Sequence, residues 1–288
     1  MYCIDERSDL SISISEAEDI IQLAQNSSTQ QPGMPLTQSA ATIISSMRKF
    51  STRWSPLDKL LNGGLVQGHV LEISGPPGTP KESVAVDITC SVLEAGEGVI
   101  FSATTRLPKH DFTFQTSKPN LSGCSSPLSS LKFIRILNAT ELMVFLHSIN
   151  TILESMPKMC LLVLNSLSFP FSTLPNPRLK SGIMAEVKQI LTQLSVVRKM
   201  TVVITSQLAT TMVKEDGTRG TFDEGAKGVM TPQLGPSYLP QGRSHRVILS
   251  LESPLAGTMH LLSDGTQGSL PKSAQQASYS FPPQLDLT

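Results

Sequence analysis

Short runs dominated by Val, Ile and Leu punctuate the middle of the chain. They are HVLEIS (69–74), GVIFSA (98–103), LKFIRIL (131–137), CLLVLN (160–165) and TVVITS (201–206). Apolar runs of this length predict strands buried on both faces of a sheet. Between them the apolar spacing lengthens to three and four residues, the period of a helix face. ESVAVDITCSVLEAG follows the first run, and Asn138 and Glu141 frame a helix start in NATELMVFLHSINTILES. Residues 182–199 place Ile183, Val187, Ile190, Leu194 and Val197 on one stripe. RVILSL (246–251) and TMHLLS (258–263) predict a closing β-hairpin. Strands alternating with helices imply an α/β fold: a mostly parallel, twisted sheet with helices on both faces and a C-terminal hairpin. Ligands of such sheets sit at the carboxyl ends of the strands.

The flanks lack this pattern. Residues 1–49 form an acidic head expected to be largely disordered. Within it, SEAEDIIQLAQ carries a capping box, Ser15 and Glu18, ahead of Ile20, Ile21 and Ala24. Either this is a fraying helix or it docks on a partner. Residues 265–288, rich in Ser, Gln and Pro, are expected to form a disordered tail. The core is therefore placed at 50–264.

Composition narrows the class. The 288 residues carry no net charge, yet residues 1–47 sum to −5 and 48–267 to +5. A mildly basic body permits nucleic-acid contact without demanding it. The four cysteines show no metal or disulfide spacing, so they are expected to be reduced and mostly buried. No basic start followed by an apolar stretch marks a secretory signal, and no apolar run is long enough to span a bilayer. The expectation is a soluble intracellular protein with no membrane partner. Five scattered histidines make no ligand set, and no metal site is expected.

The first strand leads into ISGPPGTPKES (73–83), close to the phosphate-loop pattern G-x-x-x-x-G-K-[ST]. Gly75, Gly78 and Lys81 are in place. Pro80 stands where a glycine belongs and Glu82 where a hydroxyl belongs. In a working loop, backbone N–H groups cradle phosphates, the lysine meets β/γ oxygens and the hydroxyl holds magnesium. Pro80 has no N–H, fixes its own φ and pushes Thr79 toward extended backbone. Glu82 sets a carboxylate against the nucleotide's own charge. Ser83 does not replace the hydroxyl, because one helical step turns a side chain by about 100°.

The order of segments resembles the ATPase core of RecA-like recombination proteins. WSPLDKLLNGGLVQGHVLEISGPPGTPKES is similar to the family's entry to its phosphate loop. LLVLNS falls where it has a strand ending in Asp, and VVITSQLATT matches the strand whose last Gln senses the γ-phosphate. PQLGPSYLPQGRSHRVILS resembles the eukaryotic recombinase paralogues. The resemblance covers about residues 50–263 in pieces. It implies a RecA-like P-loop core with a degenerate nucleotide site of Gly75, Gly78, Thr79, Lys81, Glu82, Ser83, Asn165 and Gln207. Asn165 replaces the strand-end Asp. No acid occurs between Gly98 and Lys109, where the family's water-activating Glu falls near Thr104, so no catalytic residue is assigned. Lys81 either touches phosphate or pairs with Glu82. Gln207 either meets phosphate or caps its strand, and Asn165 either belongs to the nucleotide site or hydrogen-bonds loop backbone. The cofactor expectation is none, or weakly bound ATP and magnesium.

Two loops correspond to the family's single-strand DNA contacts. SFPFSTLPNPRLKSG offers Arg178 and Lys180, and ATTMVKEDGTRGTFDEGAKG offers Lys214, Arg219 and Lys227. Four acids interrupt the second and aromatics are few, which weakens base stacking. The resemblance implies a non-catalytic paralogue that pairs with another paralogue and supports the recombinase filament in homologous-recombination repair, in the nucleus. The alternatives are a weak DNA-stimulated ATPase of the same family, and a RecA-like structural subunit of the Elongator accessory type.

Overall fold

A computed structural model describes residues 47–104, 127–172, 174, 176–216, 218, 220–264 and 275–280. Residues 1–46 of the head, with its expected helix, and Arg219 lie outside the described residues. No helix among the described residues is long and apolar enough to cross a membrane.

The apolar runs become the strands expected of them. β3 (Val70–Gly75), β4 (Gly98–Ala103) and β6 (Met159–Asn165) are buried almost throughout. β5 (Leu131–Arg135) lies at the sheet edge, where Lys132, Phe133 and Arg135 are exposed. Two short strands, β1 (Lys49–Phe50) and β2 (Leu65–Val66), pair with each other ahead of the main sheet. β7 (Thr201–Val213), β8 (Lys227–Pro232), β9 (Ser244–Ser253), β10 (Ala256–Asp264) and β11 (Gln275–Ser280) follow. The main sheet runs β11-β10-β9-β3-β7-β6-β4-β5, with β8 paired to β7 beyond that path. β9, β3, β7, β6, β4 and β5 are mutually parallel, while β9–β10, β10–β11 and β7–β8 are antiparallel. This is the mostly parallel sheet with a C-terminal hairpin that the pattern implies.

Alternation along each strand separates two apolar layers. Leu71, Ile73, Val99 and Phe101 face one side, where they pack with Val84, Ala85, Ile88 and Val92 of helix α2 (Lys81–Glu94). Val70, Ile100, Leu162, Leu164, Val202 and Ile204 face the other. There they meet Leu142, Leu146 and Ile149 of α3 (Ala139–Ser155) and Val187, Leu191 and Leu194 of α5 (Pro177–Val196). Asn138 caps α3 as its sequence implies, accepting from the Glu141 N–H at 2.9 Å. Both layers clamp β3 and the first half of β7, so the loop after β3 and Gln207, midway along β7, follow directly on the most buried part of the sheet.

Three expectations need correction. The tail expected to be disordered supplies β11, whose Tyr279 is buried edge-on against Trp54 of the strand-to-helix turn before α1 (Ser55–Leu60). Trp54 is fixed from its other side by Asp87, which accepts its indole N–H at 2.8 Å. Arg178 and Lys180 are not in a loop. α5 begins at Pro177, with the Asn176 side chain accepting from the Arg178 and Leu179 N–H groups. β7 does not stop at Ser206. It continues to Val213 and returns as β8, so most of the second expected DNA loop is a hairpin.

Two of the cysteines are described. Cys90 and Cys160 are buried free thiols, and burial raises them to about 11 and about 12, which leaves them unreactive.

His69 precedes β3 and stacks on His245 of β9, with ring centroids 5.5 Å apart and Nδ1 3.4 Å from the His245 Nε2. Burial, then the charges of His245 and Arg243, lower its pKa from 6.5 to about 4. Between those values the unfolded chain binds a proton that the folded chain refuses, so stability falls as the pH drops from about 6.5 toward 4. The slope is a fraction of the ~1.4 kcal/mol per pH unit of one full proton, since the ring is partly solvated. Urea midpoints taken across this window should fall less steeply with acid in His69→Gln.

Candidate functional site: the loop after β3 and the cavity beside it

β3 ends at Gly75, and Pro76 to Pro80 carry the chain into α2. Gly75 is required by space: a Cβ there would lie 2.4 Å from the Thr79 Oγ1. Gly78 is required by backbone, at φ +90°. Both glycines of the motif therefore do the conformational work of a phosphate loop. Its polar groups are turned inward instead. The Thr79 hydroxyl donates to the Pro76 carbonyl at 2.8 Å, and the Thr79 N–H points at the same oxygen, 3.3 Å away.

Lys81 is 2% exposed. Its ammonium donates to the Pro76 carbonyl at 3.2 Å and lies 3.8 Å from a Glu82 oxygen. Burial lowers the Lys81 pKa, and the Glu82 carboxylate partly offsets that. Glu82 occupies the first turn of α2, where exposed N–H groups and the helix dipole favour negative charge. An external phosphate would ordinarily fill that role. Here the chain provides its own anion.

A cavity of about 260 Å³ opens at the carboxyl ends of the central strands. Glu82, Thr104 beyond β4, Asn165 at the end of β6 and Gln207 within β7 all line it, together with Ser168 and Gln233. The resemblance-derived residues Glu82, Asn165 and Gln207 thus converge, with Thr104 where the family's acid would fall. Lys81, Gly75, Gly78, Thr79 and Ser83 are not among the lining residues. Asn165 is almost fully buried, and its Oδ1 accepts a 2.5 Å hydrogen bond from the Thr205 hydroxyl on the neighbouring strand. Gln207 is held by its backbone: its N–H donates to the Ser168 Oγ at 3.1 Å and its carbonyl accepts from the Gln233 N–H at 2.9 Å. Its side-chain Oε1 is buried with no hydrogen-bond partner.

Beneath the loop runs a polar line that the motifs do not reveal. Glu72, fully buried in β3, accepts from the Arg246 Nε of β9 at 2.6 Å and from the Ser206 hydroxyl of β7 at 2.9 Å. Ser206 has one proton and gives it to Glu72, so Ser74 is the donor in the 2.7 Å Ser74–Ser206 contact. Ser74 precedes Gly75 and Ser206 precedes Gln207, so this chain ties the base of the loop to the strand end beside it. The only sequence sign of it is a Glu inside an apolar run.

Of the described residues expected to contact DNA, the two hairpin lysines face acids of the same hairpin. Lys214 and Lys227 sit at the far end of the β7–β8 hairpin. Lys214 pairs with Glu224 at 3.1 Å and Lys227 lies 4.0 Å from Glu215. Arg178 is exposed and Lys180 half-buried on the first turn of α5. Among the described residues no group of His, Cys, Asp and Glu is arranged to hold a metal ion.

Strand order, the loop after β3 and the strand-end cavity together define a RecA-like P-loop core. Sequence comparison agrees with that class. The chain is 29% identical over 154 residues to the DNA repair and recombination protein RadB of Thermoplasma volcanium, covering 53% of this chain and 62% of the relative. It is 28% identical over 165 residues to RadB of Thermoplasma acidophilum, covering 56% of this chain and 68% of the relative. The chain thus spans just under two thirds of the first relative and slightly more of the second. No protein-family model matches the chain.

Proposed function

We infer that this chain acts in DNA repair and recombination as a non-catalytic RecA-like subunit, an adaptor of the recombinase-paralogue kind that completes an assembly without turning over nucleotide. The likeness to two RadB proteins supports the recombination setting. One observation carries the non-catalytic part. The Lys81 ammonium is buried, bound to the Pro76 carbonyl and set against Glu82, so the group that should meet the β/γ-phosphates is engaged within the loop. Pro80 removes one amide donor from the cradle. The described residues around the cavity offer no general base at Thr104 and a neutral amide at Asn165. The loop therefore fits a triphosphate with magnesium poorly.

On this reading the partners are another recombinase paralogue and the recombinase itself, and the site of action is the nucleus. Direct DNA contact is weak, because the hairpin lysines are paired with acids of the same hairpin. Purified protein, alone and with its co-purifying partner, should release no phosphate from ATP in a Lys81-dependent way, with or without single-stranded DNA. Turnover abolished by Lys81→Ala would establish the second reading, a weak ATPase. That reading draws on Glu82 and Asn165 lining one cavity, where a carboxylate could ligate magnesium. Recovery of Elongator-type subunits instead of recombination proteins would move the adaptor to another process.

A further inference from the structure

The cavity at the strand ends has the chemistry of a cation site. Among the described residues, the one ionisable group that lines it is Glu82, whose side chain is 44% exposed. The remaining lining groups are amides and hydroxyls, such as Asn165, Gln207, Gln233 and Ser168, together with one aromatic ring, Phe169. Lys81, the cation a nucleotide would need, bonds the Pro76 carbonyl, lies 3.8 Å from one Glu82 oxygen and is not part of the wall. At about 260 Å³ the cavity is smaller than the ~300–1,000 Å³ of ordinary small-molecule sites. It is roomy enough for one long side chain.

We propose that this cavity receives an arginine side chain of a partner protein, whose guanidinium takes the place a nucleotide holds in an active core. Resting on the adaptor reading above, the proposal names what the partner inserts. Charge selects the occupant's sign: a cation is attracted by Glu82 and an anion is repelled. Geometry selects guanidinium over ammonium. Its planar fork of five donors matches a carboxylate surrounded by amide and hydroxyl acceptors, whereas an ammonium is a point charge. Phe169 is half exposed at the wall and offers a face on which a guanidinium plane stacks. Glu82 already sets a negative charge in the first turn of α2, against the helix dipole, which disfavours a second anion there.

The test uses N-acetyl-arginine amide and its neutral isostere N-acetyl-citrulline amide as probes, read by NMR of the Asn165, Gln207 and Gln233 side-chain amides. The arginine probe should shift these resonances and the citrulline probe should not. Glu82→Gln should weaken the effect at least tenfold, and Phe169→Ala severalfold. Equal shifts from citrulline, or stronger ones from ATP with magnesium, overturn the proposal. A second arm measures the affinity of the full chain for its co-purifying partner, where Glu82→Gln should cost at least tenfold. A complex indifferent to Glu82→Gln overturns the inserted arginine and leaves the adaptor reading intact. Arginine-specific shifts in a protein that recovers no partner overturn the partner as the source and sink the adaptor reading as well.

Discussion

Replacing Pro80 by glycine and Glu82 by threonine together should let this loop hold a non-hydrolysable ATP analogue with magnesium at least ~100-fold more tightly than the native chain does. Two terms set that size. Pro80→Gly returns one amide donor, and a hydrogen bond to a charged group is worth roughly 1.5–3 kcal/mol. Glu82→Thr removes a carboxylate whose repulsion, at ~4 Å and an effective dielectric of ~20, reaches about 4 kcal/mol. It also supplies the hydroxyl that magnesium expects. Half of the combined effect is still about two decades or somewhat more, since each decade is about 1.4 kcal/mol. The same change removes the Glu82 partner of Lys81 and leaves the Pro76 carbonyl as the one contact a phosphate would have to displace. Titration calorimetry should show the gain, and adding Lys81→Ala should remove it. Binding no tighter than the native chain's would mean that the loop is closed by its packing and not by these two residues. Partner affinity is the complementary readout. The double variant should not improve it, and if an arginine enters beside Glu82 the double variant should weaken it.

The fold was legible in the sequence where burial is two-sided, and much less so where pairing decides the structure. HVLEIS, GVIFSA, CLLVLN and TVVITS become β3, β4, β6 and the first part of β7, whose side chains have no solvent face to accommodate. The second half of β7 reads LATTMV, with threonines on an extension that has left the core. Only its register with β8, from Leu208↔Pro232 to Val213↔Lys227, makes it a strand. QQASYS carries a single large apolar side chain. It is ordered because β10 provides a ladder and Trp54 a surface for Tyr279. Asn176 and Pro177 were readable as a cap and first turn, but the surrounding prolines suggested loop and moved the expected helix start to 182. Site residues were legible as identities. Asn165 ends β6, Gln207 lies where β7 leaves the core and Glu82 opens α2, all at one edge of the parallel strands, so topology brings them to one cavity. The direction in which Lys81 points was not, because the sequence allows either phosphate or Glu82 as its partner.

Glu72→Ala should lower the unfolding free energy by about 3–5 kcal/mol, more than any substitution on the loop itself. Removing one member of a buried ion pair leaves the other charged and desolvated, and the cost is of this size. Glu72 is fully buried and Arg246 nearly so, and the pair joins β3 to β9 at the middle of the sheet. Both Glu72 oxygens are engaged, one by Arg246 and one by Ser206. The loss therefore also frees Ser206, and with it the Ser74 contact that holds the strand beneath Gly75. Tyr238, fully buried nearby, sharpens the contrast: burial first, then the Glu72 charge, holds its phenol proton well above the ordinary value. Without Glu72 that second cause disappears and the phenol should titrate at lower pH. A double replacement, Glu72→Leu with Arg246→Met, distinguishes stability from registration. Exchanging a buried pair for apolar residues of similar volume is often neutral or stabilising, so the double variant should recover most of the urea midpoint lost by Glu72→Ala. If the polar line serves only to stabilise, the recovered variant should bind its partner normally. If it fixes the loop against the end of β7, the recovered variant should be stable yet weakened in partner binding, with the Gln207 side-chain resonances shifted. The second outcome is expected, because Ser74 sits one residue before the loop at Gly75 and Ser206 one residue before Gln207 of the cavity wall.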